Sequence, residues 1–276
     1  MTYGWAILVI AVVLGVLYSL GVFSPSNFAP KAQPGSCQVF RPNGPGTSYD
    51  INLEGTCNGE LPQYVAQFDG QSYVQMGFNI TSSLITSSTG VTESAWIYIL
   101  SLPNGDPTVF SINDAQLGLG KVTSTTAQVR PCVGSACPLS VNTIPTNQWE
   151  QISYTYNGTT GIIYINGINQ GTFSAGSLST NGVACISQVS LHTACNGGWP
   201  FDGYISNIQA YNTSFSANEI SMLYNEGIGG APIKPQNLIG WWPLNGDVND
   251  YSGNNNNGVP TKVLFIGTWQ SGYTPP

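Results

Sequence analysis

Hydrophobic residues follow two rules along this chain. In TYGWAILVIAVVLGVLYSLGVF the apolar positions are nearly unbroken and no residue is charged. From about residue 64 they come in short runs that alternate with polar positions, punctuated by Gly, Asn, Pro and Ser. The first rule predicts a helix apolar on every side, which must lie in lipid or among other helices. The second predicts many short strands, each with a buried face.

The strand-like runs are YVAQFDGQSYVQMGFNI (64–80), SAWIYIL (94–100), WEQISYTY (149–156), GIIYINGINQGTF, ACISQVSLHT and FDGYISNIQAYN. Inside them Trp96, Trp149, Tyr154 and Tyr164 are expected to be buried. Asn166-Gly167 has the signature of a type I′ hairpin turn, because Asn and Gly both tolerate positive φ. Many short strands with turn signals between them indicate a sandwich or barrel. One helix interrupts them, SFSANEISMLYNEG. Ser216 and Glu219 form a capping box, Ile220, Leu223 and Tyr224 share one face, and Gly227 closes the helix.

The N-terminal run has its own arithmetic. Tyr3 to Phe23 spans about 31 Å at roughly 1.5 Å per residue, close to a hydrocarbon core of about 30 Å. Ser24-Pro25 stops it, and SPSNFAPKAQPG follows as a linker. Three readings compete: a secretory signal peptide, a membrane anchor, and a helix that packs against its own copies. No Lys or Arg precedes it and Lys31 follows, so the positive-inside rule has little to act on. Gly15 and Gly21 allow close helix–helix approach.

Composition narrows the function. Of 276 residues only 7% are charged, against about 25% in typical soluble domains, and the net charge is -7. With no basic run, nucleic acid is excluded as a partner. The acids Glu93, Glu150, Asp202 and Glu219 are scattered, with no E-x-D-x-x-E pattern for glycan hydrolysis. The single His192 has no G-x-S-x-G partner motif. The reading is therefore not an enzyme, with no cofactor required.

Six cysteines form three sequence-local pairs, and local bonding is favoured: Cys37 with Cys57, Cys132 with Cys137, and Cys185 with Cys195. Other connectivities stay open. A zinc alternative would use Cys185, His192 and Cys195 but lacks a fourth ligand. Sequons at Asn79, Asn157 and Asn212 fit an exported glycoprotein. In NDYSGNNNNG the oxygens of Asp250, Ser252, Asn254 and Asn256 recur at alternate positions, a candidate Ca²⁺ loop. The competing reading is a turn, since Asn and Gly accept turn dihedrals and bond their own backbone. Trp199, in the loop NGGWPFDG, is a candidate for stacking on a sugar ring.

Two resemblances sharpen these expectations. MTYGWAILVIAVVLGVLYSLGVF resembles the N-terminal segment of archaeal type IV-like pilins with class III signal peptides. In that family a peptidase removes a short basic leader. The Gln and Glu that often precede the Tyr-Gly-Trp stretch are not in this sequence, which leaves the processing site open. The resemblance implies a membrane-inserted precursor whose helix later packs in a filament core, through Trp5, Ile7, Leu8, Ile10, Val13, Leu14, Leu17 and Leu20. The second resemblance rests on FDGQSYVQM, SAWIYI, WEQISYTYNGTTGIIYINGINQGTF and FDGYISNIQAYNTSFSANEISMLYNEG, over residues 64 to 228. These look like a laminin G-like, concanavalin A-like jelly roll, which implies two curved antiparallel sheets. Loop calcium is frequent in that family.

In laminin G-like domains a segment similar to LIGWWPLNGDVNDYSGNNNNG usually supplies the first strand. Here it comes last. Either the domain is circularly permuted, the favoured reading, or the strand is donated to a neighbouring subunit. The expected organisation is a hydrophobic helix over 1–24, a linker and disulfide-stapled connector over 25–63, and a mainly β, antiparallel sandwich over 64–276 whose usual first strand comes from 237–276. The functional expectation is a pilin: a structural subunit of an extracellular, cell-surface filament, a helical homopolymer with the lectin-like domain outside, for adhesion to surface glycans. The alternative is a membrane-anchored glycan-binding lectin that does not polymerise.

Overall fold

The computed structural model describes residues 38–39, 49–50, 62 and 64–267, apart from 81–89, 104, 113, 122, 177, 179–181, 192–193 and 196. The helix expected over 1–24, most of the connector with Cys37 and Cys57, and His192 lie outside the described residues. Within the connector, β1 (Gln38–Val39) and β2 (Tyr49–Asp50) pair antiparallel. Among the described residues no helix is long and apolar enough to cross a membrane.

The body runs β3 (Tyr64–Asp69), β4 (Tyr73–Ile80), β5 (Val91–Ile99), β6 (Thr108–Ile112), β7 (Ala115–Lys121), β8 (Thr126–Val129), β9 (Cys132–Val133) and β10 (Thr143–Pro145). It continues through β11 (Trp149–Tyr156), β12 (Thr160–Ile165), β13 (Ile168–Ser174), β14 (Gly182–Ile186), β15 (Ser190–Leu191), β16 (Ala194–Cys195) and β17 (Asp202–Tyr211). Helix α1 (Ala217–Asn225) follows, then β18 (Leu238–Trp242), β19 (Gly258–Thr261) and β20 (Leu264–Gly267). Among the described residues these form two eight-stranded sheets. One has the order β10-β8-β7-β6-β14-β4-β19, with β9 beside β7. The other has the order β13-β12-β11-β5-β17-β3-β20, with β18 beside β17. Pairing is antiparallel, as turns and short connections between consecutive strands favour. This is the mainly β antiparallel sandwich that the strand pattern implied.

The central strand β5 explains how the layers stack. Val91, Ala95, Ile97 and Ile99 enter the core between the sheets, with Phe110, Leu117 and Ile186 from the opposite sheet. Side chains alternate across a strand, so Trp96 and Tyr98 point the other way. There Trp96 joins Trp149, Val65 and Ile228 in a separate cluster, and Tyr224 of α1 stacks on Trp96 at 5.7 Å and 20°. Tyr164 lies in a third cluster with Tyr211, Phe215, Ile220 and Leu223. All four aromatics expected to be buried are buried, but only Tyr154 lies between the sheets. A sheet covered on both faces needs apolar residues on both, which is why SAWIYIL reads as a continuous run.

The helix is short because its signals are close together. The Ser216 hydroxyl accepts the Glu219 amide, and the Glu219 carboxylate accepts the Ser216 amide at 2.8 Å. Gly227, at φ 79°, ends it. At the β12–β13 turn Asn166 has φ 51° and Gly167 φ 76°, as a type I′ turn requires. A Cβ on Gly167 would also come within 3.2 Å of Tyr224 Cβ, so the hairpin docks tightly on α1.

The C-terminal strands are built into this body. β18 sends Trp242 into the core, where its ring lies 5.4 Å from that of Phe110. β19 pairs with β4 and β20 with β3, each at the edge of a different sheet.

Candidate functional site

Trp199 lies in the loop between β16 and β17, at φ 61°. Its carbonyl accepts the Thr108 amide at 2.8 Å, which ties the loop to β6. Its indole rests against Gly105: a Cβ there would fall 1.9 Å from the ring, so only glycine permits the approach. Even so, 49% of Trp199 stays exposed. Beside it opens a cleft of about 320 Å³, lined by Asp106, Gln116, Arg130, Val189 and the Cys132–Cys137 disulfide. Arg130 Nη1 stands 3.3 Å from Asp106 Oδ2. An aromatic surface beside an ion pair and an amide offers an apolar platform with donors and acceptors at its margin. That combination suits the C–H face and the hydroxyls of a sugar.

The four side chains of the candidate Ca²⁺ loop do come together, but they bond the protein. Asp250 Oδ1 accepts the amides of Trp241 at 3.0 Å and Ser252 at 2.9 Å. Asp250 Oδ2 accepts the Ser252 hydroxyl and the Asn256 amide, both at 2.8 Å. Asn254 Nδ2 donates to the carbonyls of Leu238 and Ile239, and Asn256 Nδ2 donates to Ile239 at 2.7 Å. Each carboxylate oxygen thus already receives two donors, about its full capacity. Among the described residues there is no group of three or more His, Cys, Asp or Glu side chains that could hold a metal. The Asp250 carboxylate is thus committed to the protein, and the geometry is that of a self-bonded turn sewn onto β18.

The scattered acids have separate duties. Glu219 caps α1 and pairs with Lys234, and Asp202 accepts the Ser101 hydroxyl. Glu93 is fully buried in the core. Glu150 differs from these: 5% exposed, it lines a second cleft, of about 480 Å³. In the sequence it is one scattered acid: Gln148 stands two residues before it, but Asn166 reaches it only once the β12–β13 hairpin forms.

Cys132 is bonded to Cys137, and Cys185 to Cys195 with Cα atoms 5.7 Å apart. The second bond occupies both sulfurs that a zinc site would have used. Asn157 stands exposed in the β11–β12 turn. Asn212 is half-buried and accepts from Asn237 Nδ2 at 3.2 Å, and the side chain of Asn79 lies outside the described residues.

Residues 68–221, more than half of the chain, match the family described as the concanavalin A-like lectin/glucanases superfamily, and the chain belongs to it. Solved structures agree on the fold. A Bacteroides ovatus protein provisionally described as carbohydrate binding superposes with a TM-score of 0.59 at 16% identity. That match covers 80% of this chain and 66% of the other. A heptameric SAP-like pentraxin from Limulus polyphemus gives a TM-score of 0.55 at 13% identity, over 75% of this chain and 95% of the pentraxin. No curated protein matches the chain.

Proposed function

We propose that this chain is an extracellular glycan-binding protein whose sandwich engages sugars through the Trp199 cleft. The observation that carries the reading is a tryptophan held half-exposed against Gly105 beside the Arg130–Asp106 pair. A packing role would bury the ring, and exposed indole next to polar groups is favoured where one side meets an apolar surface and the other water. The family includes lectins by its description, and the Bacteroides ovatus relative is described in terms of carbohydrate binding. The two disulfides suit an oxidising, extracellular setting.

The finer reading is that residues 1–24 carry the sandwich as the subunit of an archaeal type IV-like filament, with helices in the filament core and sandwiches outside. Its support is the uncharged N-terminal run and its resemblance to pilins. The alternative is the same lectin anchored in a membrane as a single copy. In the sandwich, the usual first strand of the fold is supplied by 237–276, a circular permutation. The main-chain amide of Tyr64 donates to Asn245 Oδ1 at 2.8 Å, and the Ser72 hydroxyl to the carbonyl of Lys262 at 2.9 Å. Such contacts bring the two ends of the domain together, the condition under which permutation is tolerated.

A glycan array probed with the full chain in detergent tests the lectin reading. Wild type binds a defined set of glycans and Trp199→Ala loses those that need the indole; retention of every signal by Trp199→Ala rejects the assignment of the cleft. Negative-stain microscopy of sheared surface material tests polymerisation, and filaments lacking this chain would leave the anchored alternative.

A further inference from the structure

A second cleft lies on the opposite side of the polar ledger from the first: it contains no cation. It opens where β10, at the edge of one sheet, faces the β12–β13 hairpin of the other, and α1 closes it with Ser221, Tyr224 and Asn225. Ile144 and Ile165 lie buried at its base. The carboxyl group of Glu150 is fixed there by two amides. Gln148 Nε2 donates to Oε1 at 3.0 Å, and Asn166 Nδ2 donates to Oε2. Asn166 is itself held by the turn, where its Oδ1 accepts the Gln151 amide at 2.8 Å. Across the cleft Gln170 Oε1 accepts the Asn142 amide at 3.2 Å.

We propose, building on the glycan-binding reading, that this cleft is a second saccharide site, specific for an uncharged sugar whose hydroxyls bond to Glu150.

A carboxyl kept only for folding would be expected to pair with Lys or Arg, because burying a lone carboxylate is costly. None of the lining residues is basic. A carboxylate has about four acceptor positions, and the two amides use two of them. The remainder, together with the side-chain amides and hydroxyls of Asn142, Thr143, Ser221 and Asn225, is suited to vicinal hydroxyl groups. Phosphate, sulfate and carboxylate ligands are disfavoured, since nothing cationic meets them and Glu150 repels them. Burial pushes the Glu150 carboxyl up to about 7, the donor Asn166 opposing this in part. Near neutral pH it is therefore partly protonated and can donate as well as accept, which again suits a hydroxyl better than an ammonium. The volume, about 480 Å³, lies within the usual range for small-ligand sites, about 300–1,000 Å³.

The test is titration calorimetry of the full chain in detergent against neutral mono- and disaccharides, an amino sugar and an acidic sugar. Two variants probe the cleft: Glu150→Gln, which keeps shape, and Asn225→Trp, which fills the cleft from its exposed rim. Trp199→Ala, which removes the first site, should retain one neutral-sugar binding event, and that event should weaken at least tenfold when Glu150→Gln is added and disappear when Asn225→Trp is added. Wild-type affinity in both cleft variants overturns the proposal, as does a preference for the amino or acidic sugar. If sugar binding is lost in Trp199→Ala and kept in the cleft variants, this inference falls and the Trp199 lectin reading stands. If no saccharide binds any form, both fall.

Discussion

Glu93 on β5 lies directly across the strand pair from Tyr154 on β11, both side chains fully buried between the sheets. Among the described residues, no polar group other than each other faces the Glu93 carboxyl or the Tyr154 hydroxyl. Burial holds the Glu93 carboxyl well above the ordinary carboxylate range, the Tyr154 phenol opposing it in part. The acid therefore sits in the core in its neutral form.

That neutrality sets the direction of a pH effect. Glu93 and Glu150 both have folded-state values raised above 4.5. The folded chain thus holds protons that the unfolded chain releases, and stability falls as pH rises. For Glu150 the loss begins near pH 4.5 and is complete above about 7, worth up to about 3 kcal/mol at about 1.4 kcal/mol per unit. Glu93, its carboxyl raised by burial, acts in the same sense. Asp69 and Glu219, held low mainly by hydrogen bonds from Ser72 and Lys234, act in the opposite sense, and only in more acidic solution. Thermal melts at pH 5 and pH 8 should show the lower Tm at pH 8. Glu93→Gln and Glu150→Gln should each narrow the gap, and an unchanged gap in both counts against neutral buried carboxyls.

Gly105 controls the position of the Trp199 indole. A methyl group there collides with the ring, so Gly105→Ala must displace Trp199 or shift the loop. Its φ of 113° adds backbone strain for any L side chain. The expected cost is about 1–2 kcal/mol of stability, with a shift in tryptophan emission and weaker binding of the glycans recognised by wild type. Unaltered emission would mean that the indole is not held where the structure places it.

Asp250 organises the loop that carries the asparagines. Asp250→Ala removes four hydrogen bonds and leaves the Trp241 and Asn256 amides without their acceptor. A loss of about 2–4 kcal/mol in denaturant melts is expected, since orphaned buried donors cost about 1–3 kcal/mol each. Calcium should leave wild-type Tm unmoved. A saturable heat on adding Ca²⁺ to wild type, absent in Asp250→Ala, would reverse that conclusion.

Removal of residues 237–276 takes away β18, β19 and β20 together. The core loses Trp242, Leu244 and Val248, and β3 and β4 are left as unpaired edges. The truncated chain should fail to show a cooperative melt. A folded truncated monomer would exclude the permuted-strand arrangement.

Much of the architecture was legible because local chemistry dictates it. The Asn166-Gly167 turn, the Ser216–Glu219 cap and the alternation of β11 each follow from a rule acting within a few residues. The side of the sheet to which an aromatic points was not legible. Trp96 and Trp149 look like core residues in any strand pattern, and only the docking of α1 shows that their shelter is a helix. The Asn-rich loop shows the same limit. Oxygen side chains at alternate positions look like a cation cage until their hydrogen bonds reveal which backbone groups they hold. Glu150 stood out only as one scattered acid for a different reason: Gln148 is close in the chain, but Asn166 and the rest of the cleft reach it only through folding. The N-terminal expectations, with Cys37, Cys57 and His192, concern residues outside those described.

The edge positions of β19 and β20 bear on the timing of biosynthesis. Among the described strands these emerge last from the ribosome, yet they flank β4 and β3, which emerge near the start of the sandwich. Neither sheet can acquire its complete set of strands until β19 and β20 have been made. Until then β3 and β4 each wait with an open edge, so closure of the sandwich is a late, long-range event.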